Sequence, residues 1–304
     1  MDKIIRIGTR ESQLAVWQAT TVQGLLAGNG NKAELVYIKS EGDTDLQTPL
    51  YEIGVQGIFT KALDIALLNN EIDIAVHSMK DVPTIMAKGL TQAAVLPRAS
   101  YKDILVPRTN AAFLEDNSIA QFIATSSIRR KAQWLNKYPG TTLENLRGNV
   151  NTRLRKVAES NWHGAIFAAA GLERINLRPE NAVDLDWMLP APAQGAIVIA
   201  CRLNDEAMLN ACAPLNDNAT AVCTAIERDF LRVLMGGCST PISALAVVDG
   251  DKIIFRGNIL SLDGQKKAEV TKTVSINDSN GLGRVAAEEL LANGGESILA
   301  EIKK

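Results

Sequence analysis

Basic side chains are concentrated in one stretch of the sequence, residues 125–156. This stretch has eight basic residues and one acidic residue, whereas the whole chain has a formal net charge of −2. Arg129 and Arg130 adjoin the dipeptide Ser126-Ser127, and guanidinium groups bind carboxylates or phosphates through paired hydrogen bonds. The stretch therefore predicts a site for a particular anion. A solvated helix face is the alternative, chiefly for its lysines.

A second candidate for chemistry is the dipeptide Lys80-Asp81, which closely follows the apolar run IDIAV at residues 72–76. Open α/β sheets place their sites where polar groups follow the end of a parallel strand. In that position the Asp81 carboxylate is suited to stabilising a cation or carrying a proton. The alternative is a structural ion pair or a helix cap.

Cys238 is the third candidate, because it follows Gly236-Gly237 in a predicted turn between a helix and a strand. An accessible thiol can act as a nucleophile, although a free cysteine is more often a small buried hydrophobe. With two histidines and no C-x-x-C pair, we expect neither a metal site nor a disulfide framework. No phosphate-binding glycine motif supports nucleotide use. The buried role is predicted for Cys201, Cys212, Cys223 and His163.

Strand and helix patterns alternate along much of the chain, which predicts an α/β fold. We expect residues 1–96 to form a first domain, together with residues 196–214, whose buried-type strand returns to the first sheet. Residues 100–190 form a predicted second α/β domain that carries the cationic stretch. Strands grouped before a helix in residues 218–304 predict a small α+β third domain.

Two predicted strand-to-helix turns fall inside the cationic stretch. Residues 125–127 precede one helix, and Gly148-Asn149 precedes the next. The start of a helix offers unpaired N–H groups and a partial positive charge. Both turns therefore strengthen the prediction of an anion site.

Composition sets limits on the class of protein. The 304 residues are 46% hydrophobic and 22% charged, which is typical of a globular protein. The N-terminal residues lack the apolar region of a signal peptide, and no apolar run is long enough to span a bilayer. A cytoplasmic protein without a membrane partner is therefore expected. The pI of about 5.8 argues against a general nucleic-acid binder.

The motifs, taken in order, resemble one family over essentially the full length of the chain: porphobilinogen deaminase, also called hydroxymethylbilane synthase. Each motif alone is moderately specific, but six in the right order make chance a poor explanation. The matching stretches are IRIGTRESQLAVWQA (5–19), DIAVHSMKDVPT (73–84), TSSIRRKAQ (125–133), LRGNVNTRL (146–154), AAGLERI (169–175) and GGCSTPI (236–242).

The resemblance implies two periplasmic-binding-protein-like α/β domains around a cleft and a small α+β C-terminal domain. It implies a transferase of tetrapyrrole and heme biosynthesis, expected to be a monomer. Such an enzyme condenses four porphobilinogen molecules head to tail with release of ammonia, and hydrolysis then frees hydroxymethylbilane. The product grows on a dipyrromethane cofactor, one per chain, bound by a thioether to the residue that matches Cys238. Asp81 matches the catalytic aspartate.

The resemblance also implies which side chains bind the acetates and propionates of the pyrroles. Arg202 is a further residue that the resemblance suggests for this role. The cofactor-binding set is Lys80, Thr125, Ser126, Ser127, Arg129, Arg130, Arg147 and Gly148. The substrate-binding set is Arg10, Ser12, Phe59, Arg130, Arg153, Arg174 and Gln194.

The sequence departs from the family pattern at several of these sites. Ala124 and Ala193 stand where the family usually has glycine, which costs backbone freedom unless the local φ is negative. Glu52 and Gln56 stand where many members have lysine. We therefore expect residues 125–156 to carry more of the carboxylate binding than in most relatives.

Two other functions remain open from the sequence. A non-catalytic anion-binding protein needs only the cleft and the arginines, and it would bind a small anion without releasing ammonia. A nucleic-acid binder that uses residues 125–156 would bind with a steep salt dependence. The acidic remainder of the chain weighs against the second.

Overall fold

The structure is a computed structural model, and it describes residues 4–40, 60–116, 121–234 and 240–303. These residues form two compact units. The first unit contains residues 4–40, 60–99 and 195–222. The second contains residues 100–116, 121–194, 223–234 and 240–303.

The strands and helices follow the alternation that the sequence predicts. The strands are β1 (Ile5–Thr9), β2 (Ala33–Tyr37), β3 (Ile74–Ser78), β4 (Leu90–Val95), β5 (Asp103–Pro107), β6 (Phe122–Ala124), β7 (Thr142–Glu144), β8 (Gly164–Ala168), β9 (Val183–Asp184), β10 (Ile197–Arg202), β11 (Ile242–Asp249), β12 (Lys252–Leu260) and β13 (Lys267–Ser275). The α-helices are α1 (Gln13–Gly28), α2 (Lys61–Leu68), α3 (Ile128–Lys137), α4 (Val150–Glu159), α5 (Ala169–Glu173), α6 (Glu206–Cys212), α7 (Asn218–Val233), α8 (Leu282–Leu290) and α9 (Glu296–Ile302).

The first unit is built on a five-stranded sheet in the order β2-β1-β3-β10-β4. β1 runs parallel to β2 and β3, and β10 runs antiparallel to β3 and β4. β10 is thus the strand that returns to the first sheet, as the sequence predicts. Its apolar residues continue the core that β1 and β3 form with α1 and α6.

The second unit contains a sheet of the same design, in the order β7-β6-β8-β5-β9. β6 runs parallel to β7 and β8, whereas β5 runs antiparallel to β8 and β9. The fully buried indole of Trp134 on α3 covers one face, beside Leu105 and Ile123. Because β6 and β7 are parallel neighbours, the strand ends that precede α3 and α4 lie at the same edge of this sheet.

The C-terminal part of the second unit is an antiparallel sheet, β11-β12-β13, with a core of its own. Asp249 pairs with Lys252 around Gly250, whose φ of +60° is that of a tight hairpin, so the predicted turn is confirmed. Phe230 of α7 lies so close to Gly257 that an added Cβ would sit 2.6 Å from its ring. The expected α/β class with a small α+β region is confirmed.

The described cysteines are buried, as the sequence predicts. Cys201, Cys212 and Cys223 are buried and form no disulfide with one another, and burial raises the pKa of Cys201 to about 11 and of Cys212 to about 12. Within the ranges given above, no helix has the length and apolar character to cross a membrane, and no cluster of side chains is suited to holding a metal ion.

Candidate functional site

Asp81 lies in a single 3-10 turn, Met79–Asp81, that directly follows β3. The Met79 N–H donates to the Ala196 carbonyl at 3.0 Å, which ties the turn to the chain just before β10. Met79 is buried, whereas Lys80 and Asp81 are exposed. The carboxylate is thus presented at the carboxyl end of a buried strand, where the sequence predicts it.

Arg10 and Ser12 lie at the same edge of the first sheet. β1 and β3 are parallel neighbours, with Gly8 paired to Ala75, so Arg10 is level with His77. The Ser12 hydroxyl accepts from the Ala15 N–H at 3.4 Å and caps α1. The structure therefore brings Arg10 close to the strand end that carries Asp81.

His77 lies in the interior beneath this edge. Burial, helped by the charge of Arg10, lowers the pKa of His77 to about 4. Its Nε2 atom has no hydrogen-bond partner among the residues that the structure describes. The imidazole is therefore neutral at physiological pH.

Residues 125–127 connect β6 to α3, and their hydroxyl groups accept hydrogen bonds from backbone N–H groups. The Ser126 Oγ accepts from the Leu146 N–H at 2.8 Å, and the Ser127 Oγ caps α3 by accepting from the Arg130 N–H at 3.4 Å. The Thr125 Oγ1 accepts from the Ser127 N–H at 3.3 Å. These bonds hold the start of α3 beside the chain that leads out of β7.

Arg129 and Arg130 are each 6% exposed, and both pair with the buried carboxylate of Asp103. Arg130 Nη2 lies 2.7 Å from Asp103 Oδ1, and Arg129 Nη2 lies 2.7 Å from Oδ2. Burial alone favours the neutral acid, but Arg129, Arg130 and a hydrogen bond from Gln194 outweigh it and lower the pKa of Asp103 to about 2. The two arginines are therefore not part of a solvated helix face.

The turn before α4 presents a second set of basic residues. Asn149 caps this helix by accepting from the Thr152 N–H at 2.9 Å. Arg153 Nε donates to the Gly148 carbonyl at 2.7 Å. Gly148 has a φ of +112°, and an added Cβ would lie 2.8 Å from Thr152 Cγ2, so glycine is required there. Arg147 is 5% exposed, at the end of the chain leaving β7.

Arg174 and Gln194 complete the predicted set in the second unit. Arg174 follows α5 and is half-buried, and this burial lowers its pKa to about 10. Gln194 Nε2 donates to Asp103 Oδ1 at 2.9 Å and to the Tyr101 carbonyl at 2.8 Å. Gln194 thus lies in the same cluster as the two buried arginines.

The motifs did not identify two buried carboxylates. Asp103 is one, and the sequence clue to its burial is that this acidic residue begins the apolar run DILV. Glu227 is the other: its carboxylate accepts from the N–H groups of Ala193 at 2.6 Å and Ala246 at 2.7 Å. Glu227 lies on α7 and Ala246 on β11, and Cys238 lies in the connection between these two elements.

Ala193 and Ala124 differ in backbone conformation. Ala193 has a φ of +61°, which is left-handed and strained for a residue with a Cβ. Ala124 is the last residue of β6, and it is not among the described residues that have a positive φ. The cost expected from the sequence therefore applies at Ala193 and not at Ala124.

One predicted residue, Arg202, lies away from the others of the first unit. Arg202 donates to the Leu67 and Ile72 carbonyls at 2.9 and 2.8 Å, at the end of β3 opposite Asp81. Four predicted positions lie outside the described residues, and they are Glu52, Gln56, Phe59 and Cys238.

Comparisons with known proteins identify relatives along nearly the whole chain. The family model "Porphobilinogen deaminase, dipyromethane cofactor binding domain" matches residues 5–210, and "Porphobilinogen deaminase, C-terminal domain" matches residues 221–292. A chloroplastic porphobilinogen deaminase of Pisum sativum is 43% identical over 304 residues, which cover 96% of this chain and 82% of that protein.

Two further matches are a bacterial relative and a solved structure. A porphobilinogen deaminase of Syntrophotalea carbinolica is 41% identical, over 98% of this chain and 96% of that protein. An ancestral cationic amino acid solute binding protein is 15% identical with a TM-score of 0.45, over 75% of this chain and 90% of that one.

Replacement of His77 by Gln is expected to make the free energy of unfolding fall less steeply as the pH is lowered. Because the pKa of His77 falls from 6.5 to about 4 on folding, the unfolded chain binds more protons between these values. Stability therefore falls as the pH drops through this range, by on the order of 3 kcal/mol. Urea unfolding of both proteins across the range measures it, and equal pH slopes would contradict the prediction.

Glycine at the two alanine positions is expected to have opposite effects. Ala193→Gly should raise the free energy of unfolding by about 1 kcal/mol, because it relieves a left-handed alanine. Ala124→Gly, the matched control, should lower it by roughly 0.5–1 kcal/mol, because glycine loses more entropy in a strand. Denaturant midpoints measure both, and a shared sign would refute the argument.

Proposed function

The chain belongs to the porphobilinogen deaminase family, and we propose that it condenses porphobilinogen head to tail, releases ammonia and yields hydroxymethylbilane. The cofactor of this family is a dipyrromethane, and the enzyme is a transferase of tetrapyrrole synthesis. Family membership favours this activity over a simple anion-binding protein and over a nucleic-acid binder. We also propose the three domains predicted from the sequence and a monomer that works in the cytoplasm.

The residues of the second unit fit a dipyrromethane, because each of its pyrroles carries an acetate and a propionate. Two helix starts point N–H groups toward the edge where β6 and β7 end. Arg147 and Arg153 adjoin the second helix start, and Arg129 and Arg130 adjoin the first. When bound, the dipyrromethane supplies the terminal pyrrole carbon to which the next pyrrole is joined.

The arginines would bind carboxylates in this scheme, with the hydroxyls of residues 125–127 as further donors. Arginine suits the task because its planar fork matches a carboxylate and stays charged at any physiological pH. Lys80, Arg10 and Ser12 would act in the same way from the first unit. Arg174 and Gln194 would complete the set.

Asp81 would act on the reacting pyrrole. A carboxylate near the pyrrole N–H stabilises the positive charge that develops when ammonia leaves, and it can carry a proton. The observation that carries this proposal is the exposed Asp81 carboxylate in a turn anchored by buried Met79, at the edge that also carries Arg10. Such anchoring limits the movement of a group that must act at a fixed place.

Cys238 would hold the cofactor through a thioether. The intact mass of the purified protein is expected to exceed the sequence mass by one dipyrromethane. Cys238→Ser should lack this excess, whereas Cys223→Ser, at a buried cysteine, should keep it. An unmodified mass for the wild-type protein after incubation with porphobilinogen would overturn the assignment.

Asp81→Ala is expected to keep the dipyrromethane mass and to lose most of the turnover, by about 100-fold or more. Glu34→Gln removes an exposed carboxylate from β2 of the same unit and should change neither. Release of ammonia and formation of hydroxymethylbilane measure the effect. Turnover near that of the wild-type protein would reject the role of Asp81.

A further inference from the structure

The carboxylate of Asp103 joins three residues that are expected to bind the cofactor or substrate. Asp103 is the first residue of β5 and is fully buried. Its Oδ1 accepts from Arg130 Nε at 3.0 Å, from Arg130 Nη2 at 2.7 Å and from Gln194 Nε2 at 2.9 Å. Its Oδ2 lies 2.7 Å from Arg129 Nη2.

Each guanidinium group is also held by a backbone carbonyl. Arg129 Nη1 donates to the Leu189 carbonyl at 2.7 Å, and Arg130 Nη1 donates to the Ile166 carbonyl at 2.9 Å. An arginine that is fixed at two points has lost most of its rotamer freedom. The directions of its remaining N–H groups are therefore determined before any ligand arrives.

The charges of the cluster also matter. Arg129, Arg130 and Asp103 together carry one net positive charge in the protein interior. Without the carboxylate, two cations would lie side by side and mostly out of water, an arrangement that favours displacement of both. Asp103 therefore controls where the guanidinium groups lie as well as whether they stay buried.

We propose that Asp103 is a positioning residue, which aims the N–H groups of Arg129 and Arg130 at carboxylates of the bound pyrroles. This inference rests on the proposed function, because it requires the two arginines to be ligand-binding. Asp103 itself is fully buried and would act only through the arginines and Gln194.

The first unit contains a matched control, the buried Asp73. Asp73 is also fully buried and also pairs with two arginines, Arg6 at 3.0 Å and Arg202 at 3.5 Å. It lies at the end of β3 opposite Asp81, and a five-residue strand is roughly 17 Å long. Loss of its charge should therefore affect folding and not the reaction.

The experiment compares Asp103→Asn with Asp73→Asn in the cofactor-loaded protein. Both variants are expected to melt at a lower temperature than the wild-type protein. Only Asp103→Asn should lose kcat/KM for porphobilinogen, by about 100-fold per cofactor-loaded chain, as small misplacements of binding groups do. Intact-mass spectra after limiting substrate should show fewer extended pyrrole adducts in that variant alone.

Asp103→Glu separates position from charge, because it keeps the carboxylate and moves it by one methylene group. We expect it to restore melting temperature in part while kcat/KM stays low. Wild-type kcat/KM in either folded Asp103 variant would overturn the proposal. The proposal would also be overturned if neither Asp103→Asn nor Asp103→Glu folded while Asp73→Asn did, because Asp103 would then serve the fold alone. A wild-type protein without dipyrromethane or turnover would instead contradict the proposed function.

Discussion

Two guanidinium groups and one carboxylate lie together in the interior of the second unit, at Arg129, Arg130 and Asp103. Buried charges of this kind are stable only as a hydrogen-bonded set, because each alone would lose its hydration without compensation. The set also fixes the position of α3, since it reaches the carbonyls of Ile166 and Leu189. The site proposed for carboxylate binding therefore shares its anchoring with the core of this unit.

The parts of the site that depend on local order could be predicted from the sequence. Asp81 follows a buried apolar run, so its place at a strand end requires only the α/β pattern. Ser127 and Asn149 were expected near helix starts, and both accept the capping hydrogen bonds there. The hairpin at Gly250 is equally local, because the turn residues themselves favour it.

The parts that depend on contacts between distant residues could not be predicted. Asp103 and Arg130 are 27 positions apart, and nothing near either residue specifies the other as its partner. The burial of Arg129 follows from that pairing, so a stretch with a high positive charge gave no sign of it. The left-handed backbone of Ala193 is likewise set by the surrounding chain, where Glu227 accepts its N–H.

The insertion of β10 between β3 and β4 has a consequence for synthesis of the protein on the ribosome. About one hundred residues separate the end of β4 from the start of β10, and translation takes roughly 5–20 s to add them. During that interval the edges of β3 and β4 that β10 will occupy lack their final partner. All five strands of the second sheet emerge before β10 does, so the first unit cannot be completed until then. Until β10 pairs, the exposed strand edges of the nascent chain are sites that chaperones would protect.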